Sequence, residues 1–366
     1  MRIAFDLTAL HDRRTGIGAF TGEVLTRLAT RDDLHVVGYS ASWRGRNHVR
    51  ELAPPNVSVA TRPMAAQPLR QVWRRIDWPP ISWWTGKVDL VHGPNFVVPP
   101  GAGAVELMTV HDLTFVRYPE LCKRDVLQFT GLIDRALRRG AHVHAVSDFV
   151  ADEVCDVFDV SNDRVHVVAN GVDPITPGDA ARGRQLAGGD RYILAVGTVE
   201  PRKDYPLLID AFDAIAAEDA AVRLVIAGQD GWGIDAFRAA HERARHRDRV
   251  VRLGFVDDCA RADLLAGAAV FAYPSRYEGF GLAPLEAMSA GVAVVTTRTG
   301  ALPSVLGDAA RFVAPGDRSD LSAALIELLA DTAERDALVA RGRVRASQYS
   351  WDACADGVVG LYQSLC

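Results

Sequence analysis

Short apolar runs alternate with longer stretches of helical period along this chain of 366 residues. Such alternation predicts βα units and parallel sheets. In the first half we expect strands at residues 2–7, 35–39, 57–60, 90–92, 104–110 and 142–146. In the second half we expect them at 192–196, 223–227, 250–253, 269–272 and 293–296, with a further candidate at 310–313. Each half is therefore expected to form a doubly wound α/β sheet.

The length of the chain favours two domains over a single core. Turn residues over 171–178, and a run with little hydrophobic period over 181–190, predict a linker with a boundary near residue 175. The expected division is an N-terminal domain of residues 1–175, a C-terminal domain of residues 176–348 and a terminal helix within 349–366. Ser147 and Ser350 are expected to cap helices.

The amino-acid composition argues against some classes of function. A formal net charge of −5 argues against general affinity for nucleic acids, so phosphate binding should come from a few placed cations. Five cysteines, an odd number without CxxC spacing, indicate reduced thiols. The first residues form a strand pattern and not a signal peptide, and no apolar window has the length of a membrane span. We expect a cytoplasmic protein, or one peripheral to the inner face of the cell membrane.

Two glutamates lie eight positions apart in the run Tyr-Glu278-Gly-Phe-Gly-Leu-Ala-Pro-Leu-Glu286. Proline suits a helix start, so the helix is expected to begin at Ala283 and Pro284, with Glu286 in its first turn. The two carboxylates would then flank backbone N–H groups at the positive end of a helix, a place suited to a sugar nucleotide. A solvated helix start is the alternative, but it does not explain Glu278 between an aromatic residue and a glycine.

A second motif, Val-Gly-Thr198-Val-Glu-Pro-Arg202-Lys203, follows the predicted strand 192–196. Open α/β sheets bind ligands at the carboxyl ends of their strands. Arg202 offers a fork of donors and Lys203 a point charge for a pyrophosphate, each charge-assisted hydrogen bond contributing about 1.5–3 kcal/mol. In isolation the pair would be interpreted as surface residues.

Both motifs resemble those of the retaining glycosyltransferases of family 4. The resemblance implies the GT-B fold, with two facing Rossmann-like domains and a C-terminal helix that crosses back to the N-terminal domain. It also implies that Glu278 contacts the donor hexose, that Glu286 holds the ribose hydroxyls, and that Arg202 and Lys203 bind the donor phosphates. Many members carry arginine where this chain has Thr198, so the phosphate charge is expected to fall mainly on the other two cations.

The resemblance extends to further donor contacts in the second half. Backbone N–H groups around Phe280, Gly281 and Leu282 are expected to meet the departing phosphate. A glycine turn precedes Phe255, and in the family this turn contacts the base. Phe255 is interpreted either as a stacking residue or as a core aromatic.

In the first half, Gly16 and Gly18 follow the first strand and suit the approach of backbone N–H groups to a phosphate at a helix start. The third glycine of a dinucleotide fingerprint is replaced by Thr21, which disfavours nicotinamide binding. The resembled loop closes over the donor β-phosphate. His111 follows a predicted strand and could bond a sugar hydroxyl, as the family implies, or be a satisfied loop histidine.

No metal or cofactor is expected, because no Asp-x-Asp pair stands at a suitable strand end, and His142 and His144 have no third ligand nearby in sequence. The segment of residues 70–84, from Arg70 to Trp84, contains four of the seven tryptophans and three arginines. This mixture suits a membrane interface or a lipid-linked acceptor, although tryptophans are also common in cores.

The expected activity is retaining transfer of a hexose from a nucleoside diphosphate sugar to a hydroxyl of a glycan, a lipid-linked molecule or a small molecule. The Glu-Pro-Arg-Lys motif resembles that of mannosyltransferases using GDP-mannose, but rhamnosyl, glucosyl and N-acetylglucosaminyl transferases share the same architecture. Two alternatives remain open: a sugar-nucleotide epimerase of the same fold, which would add acid/base carboxylates, and a non-catalytic sugar-binding protein, which would need no phosphate cations.

Overall fold

The computed structural model describes residues 1–11, 16–42, 46–60, 62–174 and 177–366, with the backbone alone at residues 46 and 47. Contacts divide the chain into two compact units. The first unit comprises Met1–Glu120, Arg124–Gly171 and Ser350–Cys366, and the second comprises Leu121–Lys123 and Val172–Tyr349. Residue 175, where the sequence predicts the boundary, lies outside the described residues.

The described part of the first unit contains a parallel sheet of seven strands in the order β3-β2-β1-β4-β5-β6-β7. Its central strands are largely apolar and buried, as expected for a parallel sheet covered on both faces. The strands are β1 (Arg2–Asp6), β2 (His35–Tyr39), β3 (Ser58–Val59), β4 (Leu90–Gly93), β5 (Val105–Val110), β6 (His142–Ala145) and β7 (Val165–Val167).

The second unit contains a parallel sheet of six strands, ordered β10-β9-β8-β11-β12-β13 over the described residues. The order reverses direction between β8 and β11, which is the switch point where open α/β sheets bind ligands. The strands are β8 (Arg191–Val196), β9 (Val222–Ala227), β10 (Val250–Gly254), β11 (Val270–Tyr273), β12 (Val294–Thr297) and β13 (Arg311–Val313).

Helices accompany the strands of the two sheets. They are α1 (Gly16–Leu28), α2 (Arg46–Leu52), α3 (Ala66–Trp73), α4 (Ser82–Thr85), α5 (Thr114–Arg117), α6 (Phe129–Arg139), α7 (Asp148–Phe158), α8 (Ala180–Ala187), α9 (Tyr205–Glu218), α10 (Ile234–Arg243), α11 (Asp258–Gly267), α12 (Leu282–Ser289), α13 (Leu302–Leu306), α14 (Arg318–Ala330), α15 (Thr332–Ala346) and α16 (Trp351–Leu365). None of the described helices is long and apolar enough to cross a bilayer.

The expected α/β class with two parallel sheets is confirmed, and the predicted strands agree with the observed ones to within one or two residues at most ends. One strand is missing from the prediction. β7 has only three residues, Val-His-Val, and pairs with β6 alone at the sheet edge. A polar residue in the middle of so short an edge strand leaves no apolar run to detect.

The predicted linker over 181–190 is wrong, because most of it forms α8. The Asp179 side chain caps this helix through the N–H groups of residues 181 and 182. Gly183, which disfavoured a helix in the sequence, is required by packing: a Cβ there would lie 2.0 Å from the carbonyl oxygen of Asp263 in α11.

Helix α16 belongs to the first unit and contacts α1. Ser350 caps it by accepting from Ala353 N at 3.1 Å, and Ser147 caps α7 in the same way. On α16, Asp352 accepts from Arg27 Nε at 2.5 Å, and the Tyr362 hydroxyl lies 2.6 Å from His92 Nδ1. The terminal segment of the chain thus completes the unit that the N-terminal residues begin.

Candidate active site

The candidate site lies in the second unit, at the carboxyl ends of the neighbouring strands β8 and β11. After β8 the chain makes a 3₁₀ turn at Pro201–Lys203, and after β11 it continues into the loop that leads to α12. The two segments are tied together where Arg276 N donates to the carbonyl oxygen of Arg202 at 2.8 Å. The two sequence motifs, 75 residues apart at Lys203 and Glu278, are thereby brought into contact.

Four donors converge on one oxygen of Glu278, which is only 6% exposed. Oε1 accepts from Lys203 Nζ at 2.6 Å, from Ser275 Oγ at 2.6 Å and from the Tyr273 hydroxyl at 2.8 Å, and Arg202 Nη1 lies 2.6 Å away in an ion pair. The other oxygen, Oε2, takes no part in these four contacts. The carboxylate is therefore held in one orientation by one of its two oxygens.

The charges of this cluster balance one another within the protein. Burial alone would raise the pKa of Glu278, but Arg202 and Lys203 outweigh it and hold that pKa well below its usual range. Burial, and next the charge of Arg202, lower the pKa of Lys203, while Glu278 opposes the shift. Arg202 also pairs with Glu200 Oε1 at 2.7 Å. The carboxylate is thus ionised, with two cations in direct contact.

The backbone of Glu278 is held from behind by the loop after β12. Ala301 N donates to the Glu278 carbonyl oxygen at 2.9 Å. The preceding residue, Gly300, has a φ of +54°, and a Cβ there would lie 2.1 Å from that same oxygen. Only glycine fits at this position, since both the backbone conformation and the space exclude a side chain.

Helix α12 begins earlier than the sequence predicts. Gly281, with a φ of +103°, is its N-cap, and Leu282 is its first residue. Pro284 is therefore the third helical residue and Glu286 the fifth, so the prediction that Glu286 lies in the first turn is wrong. The left-handed backbone at Gly281 turns the chain directly into the helix, which starts before the proline is reached.

Glu286 is held by a different cation from those at Glu278. Its Oε2 lies 2.7 Å from Nη1 of Arg261 in α11, and the same guanidinium lies 3.1 Å from Asp258. Side chains of Arg261 and Glu286 are each about 25% exposed. The two glutamates of the motif therefore lie in separate ion-pair networks of the same unit.

The other residues expected to bind the donor are distributed around these two networks. Thr198 follows β8, where its hydroxyl accepts from Gln229 Nε2 at 3.4 Å. Phe255 follows β10 and is 45% exposed, which disfavours its interpretation as a core aromatic. Phe280 is 5% exposed with its ring edge-on to Tyr349 at 5.6 Å, so its side chain belongs to the core.

The remaining site candidates lie in the first unit. Gly16 is the first residue of α1, and Gly18 lies in its first turn, as expected for a helix start. Thr15, which precedes them, lies outside the described residues. His111 directly follows β5, and its Nε2 donates to the carbonyl oxygen of Pro94 at 2.8 Å.

The bond to Pro94 fixes the tautomer of His111. A carbonyl oxygen can only accept, so Nε2 carries the hydrogen and Nδ1 of the neutral ring can accept one. Burial lowers the pKa of His111, an effect only partly opposed by the Pro94 bond and by Asp112. The ring is thus suited to accept a hydrogen bond from a hydroxyl, and it also packs edge-on against Phe20 at 5.2 Å.

The alternating histidines of β6 have structural partners. His144 Nδ1 lies 3.0 Å from Thr109 Oγ1, and His144 Nε2 lies 2.8 Å from the Val168 carbonyl oxygen. His92, on β4, extends this hydrogen-bonded series, because its Nε2 lies 2.7 Å from Thr109 Oγ1. Burial lowers the pKa of His144 to about 4 and the pKa of His92 well below its usual value. Within the described residues, no group of three or more metal-ligating side chains is found.

Comparison with known proteins identifies the family. The model of glycosyl transferases group 1 matches residues 190–331, and that of glycosyltransferase family 4 matches residues 14–175. The O-antigen chain mannosyltransferase B of Escherichia coli is 30% identical over 393 aligned positions, which span the whole of both chains. The chain belongs to the group 1 glycosyltransferases.

This glycosyltransferase is similar to one further protein in sequence and to another in fold. The MMP alpha-(1->4)-mannosyltransferase of Mycolicibacterium hassiacum is 32% identical over 64% of this chain and 57% of its own. The crystal structure of Anabaena Alr3699/HepE in complex with UDP-glucose superposes with a TM-score of 0.78 over the whole of both chains, at 19% identity. The fold is accordingly that of the GT-B glycosyltransferases.

Three residues of the glycosyltransferase cluster were missed by the sequence reasoning, namely Glu200, Tyr273 and Ser275. All three stand at or just beyond strand ends beside residues that were predicted. For Tyr273 and Ser275, a hydroxyl at or near the end of an otherwise apolar strand indicates that some partner is needed, but it does not say which one.

Proposed function

We propose that this glycosyltransferase transfers mannose from GDP-mannose, with retention of configuration, to a hydroxyl of a glycan, a lipid-linked molecule or a small molecule. The observation that carries the proposal is the buried cluster of Lys203, Arg202 and Glu278 at the switch point of the second sheet. The mannosyltransferase names of two relatives support the choice of sugar.

Arg202 and Lys203 are proposed to bind the donor pyrophosphate. Negative charge grows on this group as its bond to the sugar breaks, and preorganised cations stabilise that charge without a metal. Arg202 is oriented by Glu200 and by the Tyr277 carbonyl oxygen at 2.9 Å, so its guanidinium needs little reorganisation. Backbone groups of Gly281 and Leu282 at the start of α12 would add the positive end of a helix dipole.

Glu278 is proposed to accept a hydrogen bond from a hydroxyl of the donor sugar. Its lowered pKa and saturated Oε1 suit an ionised acceptor and not a base or a nucleophile. The acceptor hydroxyl would then lose its proton to the departing phosphate on the same face, which gives retention.

The other contacts complete the proposed donor site. Glu286 would accept from the ribose hydroxyls and Phe255 would stack near the base. Gly16 and Gly18 would offer backbone N–H groups to the donor phosphate. The neutral His111 would accept from a sugar hydroxyl through Nδ1.

The test is a panel of GDP-, UDP-, dTDP- and ADP-sugars, assayed with and without EDTA. We expect GDP-mannose to raise the melting temperature most, because a ligand that binds only the folded form stabilises it by mass action. NMR of the product should show the anomeric configuration of the donor, and EDTA should leave the rate unchanged. A different preferred donor, inversion, or epimerisation of the sugar nucleotide without acceptor would contradict the proposal.

We also propose that the segment of residues 70–84 contacts an anionic lipid surface. Trp78 and Trp83 pack edge-to-face at 4.8 Å and are about half exposed, as is Ile76. Arg74 and Arg75 are exposed beside them. Exposed indoles suit the headgroup level of a bilayer, and arginines suit lipid phosphates.

The other two tryptophans of the segment have internal roles. Trp73 is buried and donates to the Pro79 carbonyl oxygen at 3.0 Å, while Trp84 donates to the Pro63 carbonyl oxygen at 3.1 Å. The membrane interpretation therefore rests on two of the four tryptophans, whereas the core interpretation applies to Trp73, and Trp84 is half-buried.

Sedimentation with vesicles tests the lipid contact. The full chain should bind vesicles with phosphatidylglycerol and not those of phosphatidylcholine alone. The double variant R74A/R75A should lower the partition coefficient by about fivefold for each arginine. The matched control R182A/R184A, on α8, removes the same charge from exposed positions and should bind as the wild type does. Equal loss in both variants would exclude a local surface.

A further inference from the structure

Tyr273 is the last residue of β11, and its side chain is buried between the two groups to which the proposed function assigns the donor phosphate and the donor sugar. Its hydroxyl accepts from Lys203 Nζ and donates to Glu278 Oε1 at 2.8 Å. Lys203 Nζ also lies 4.4 Å from the centroid of the ring. One side chain thus contacts both the ammonium and the carboxylate.

A phenol suits this place because it accepts one hydrogen bond and donates another at the same oxygen. Burial, and next the charge of Glu278, raise the pKa of Tyr273 well above its usual value, so the hydroxyl keeps its proton. With that proton directed at Oε1, the hydroxyl can take only a donor on its other side, which is the lysine. The lysine therefore donates to the phenol and the phenol donates to the carboxylate, and the reverse arrangement is excluded.

We infer that Tyr273 is a positioning residue for sugar transfer, whose hydroxyl contacts both Lys203 Nζ and Glu278 Oε1 and so fixes the direction of the ammonium on the carboxylate while the donor binds and reacts. The inference rests on the proposed roles of Lys203 and Glu278. Without the hydroxyl, Lys203 Nζ keeps its contact with Glu278 Oε1 at 2.6 Å, but the ammonium loses its other partner and can swing about that contact away from the phosphate. Stabilisation of the departing phosphate depends on where the ammonium lies. Loss of the hydroxyl should therefore raise the free energy of the transition state more than that of the bound donor.

The chain offers a matched control in Tyr192, on β8. It is also fully buried in the second unit, and its hydroxyl donates to a single carbonyl oxygen, that of Leu264, at 2.5 Å. Tyr273→Phe and Tyr192→Phe therefore each remove one buried hydroxyl and keep the ring. Only the first removal touches charged groups of the site.

The experiment compares both variants with whichever sugar nucleotide the wild type turns over, so it does not depend on the donor being GDP-mannose. For Tyr273→Phe we expect kcat to fall about 10- to 100-fold, as for loss of a hydrogen bond to a charged group, with a donor KM within threefold of the wild type. Tyr192→Phe should keep kcat, although both variants lose melting temperature to a similar extent. Equal kcat values in the two variants, or a loss confined to KM, would overturn the inference.

A double-mutant cycle in urea tests the same contact without any substrate. Tyr273→Phe and Lys203→Met should be non-additive in the free energy of unfolding, because each removes the same contact. The pair Tyr192→Phe and Lys203→Met should be additive. Additivity in both cycles would refute the positioning role, whereas a wild type that turns over no sugar nucleotide would refute only the proposed function.

Discussion

The two units bury polar groups in opposite ways. In the first unit, a hydrogen-bonded series of neutral side chains, the neutral chain, runs from Tyr362 through His92 and Thr109 to His144. In the second unit, charged groups meet at Glu278 Oε1. The neutral chain links three strands to α16, and its side chains hydrogen-bond to one another. The charged cluster places two cations where the donor phosphate is proposed to bind, at a cost in desolvation.

This contrast teaches that burial alone does not mark a functional site. The buried histidines and the buried lysine all have perturbed pKa values, yet only the lysine lies at the switch point of a sheet beside a second cation. Perturbed groups become candidates for function when position and partners agree.

Glu278→Gln should reduce the rate of transfer about 1000-fold, equivalent to about 4 kcal/mol in the activation free energy. The amide keeps the shape but loses the charge that orders Lys203 and Arg202 and the strongest acceptor for a sugar hydroxyl. The measurement is kcat/KM for the donor. A rate within tenfold of the wild type would place the sugar contact elsewhere.

Lys203→Met should lower the free energy of unfolding by about 3 to 5 kcal/mol, the cost of breaking a buried ion pair. The value should fall at the lower end, since Arg202 still contacts the same oxygen. Urea unfolding at pH 7 gives the difference. The double variant Lys203→Met/Glu278→Gln should regain part of the stability while remaining inactive, and failure to regain any would show that the charges do not compensate one another.

The neutral chain should make the first unit sensitive to acid. The folded-state pKa of His144 is about 4, below the usual value of 6.5, so between these pH values the unfolded chain binds a proton that the folded chain does not. Stability from this residue is complete above pH 6.5 and falls by about 3 kcal/mol by pH 4. His144→Gln should have a flatter profile in urea unfolding between pH 7 and pH 4. Parallel profiles would contradict the assignment.

Tyr362→Phe should have the smallest effect, a loss of about 1 kcal/mol in the free energy of unfolding with no change in kcat. The variant removes the hydroxyl that lies 2.6 Å from His92 and leaves the packing of the ring. A marked fall in kcat with unchanged stability would mean that the neutral chain serves catalysis, and the comparison between the units would then fail.

Much of the fold could be predicted because central parallel strands are continuous apolar runs. Failures occurred where tertiary contacts overrule local preference. β7 is too short and polar to be detected, and α8 contains a glycine whose reason, the close approach of Asp263, lies 80 residues away in sequence.

The candidate site shows the same limit. Charged residues in motifs were identified, and Arg202, Lys203 and Glu278 do meet. The partners that orient them could not be predicted, because Tyr273 and Ser275 look like ordinary strand-end residues until the two loops are folded together. The helical turn that contains Glu286 was predicted wrongly, because the helix start was placed from the proline. The positive φ of Gly281, which sets the true start, is a property of the folded loop.

Gly300 extends the site to a residue that carries no chemistry. A single methyl group there would lie 2.1 Å from the carbonyl oxygen of Glu278, so the main chain that carries the acid would have to move. The proposed sugar contact is therefore vulnerable at an inert position on a neighbouring loop. A survey confined to reactive side chains would overlook it.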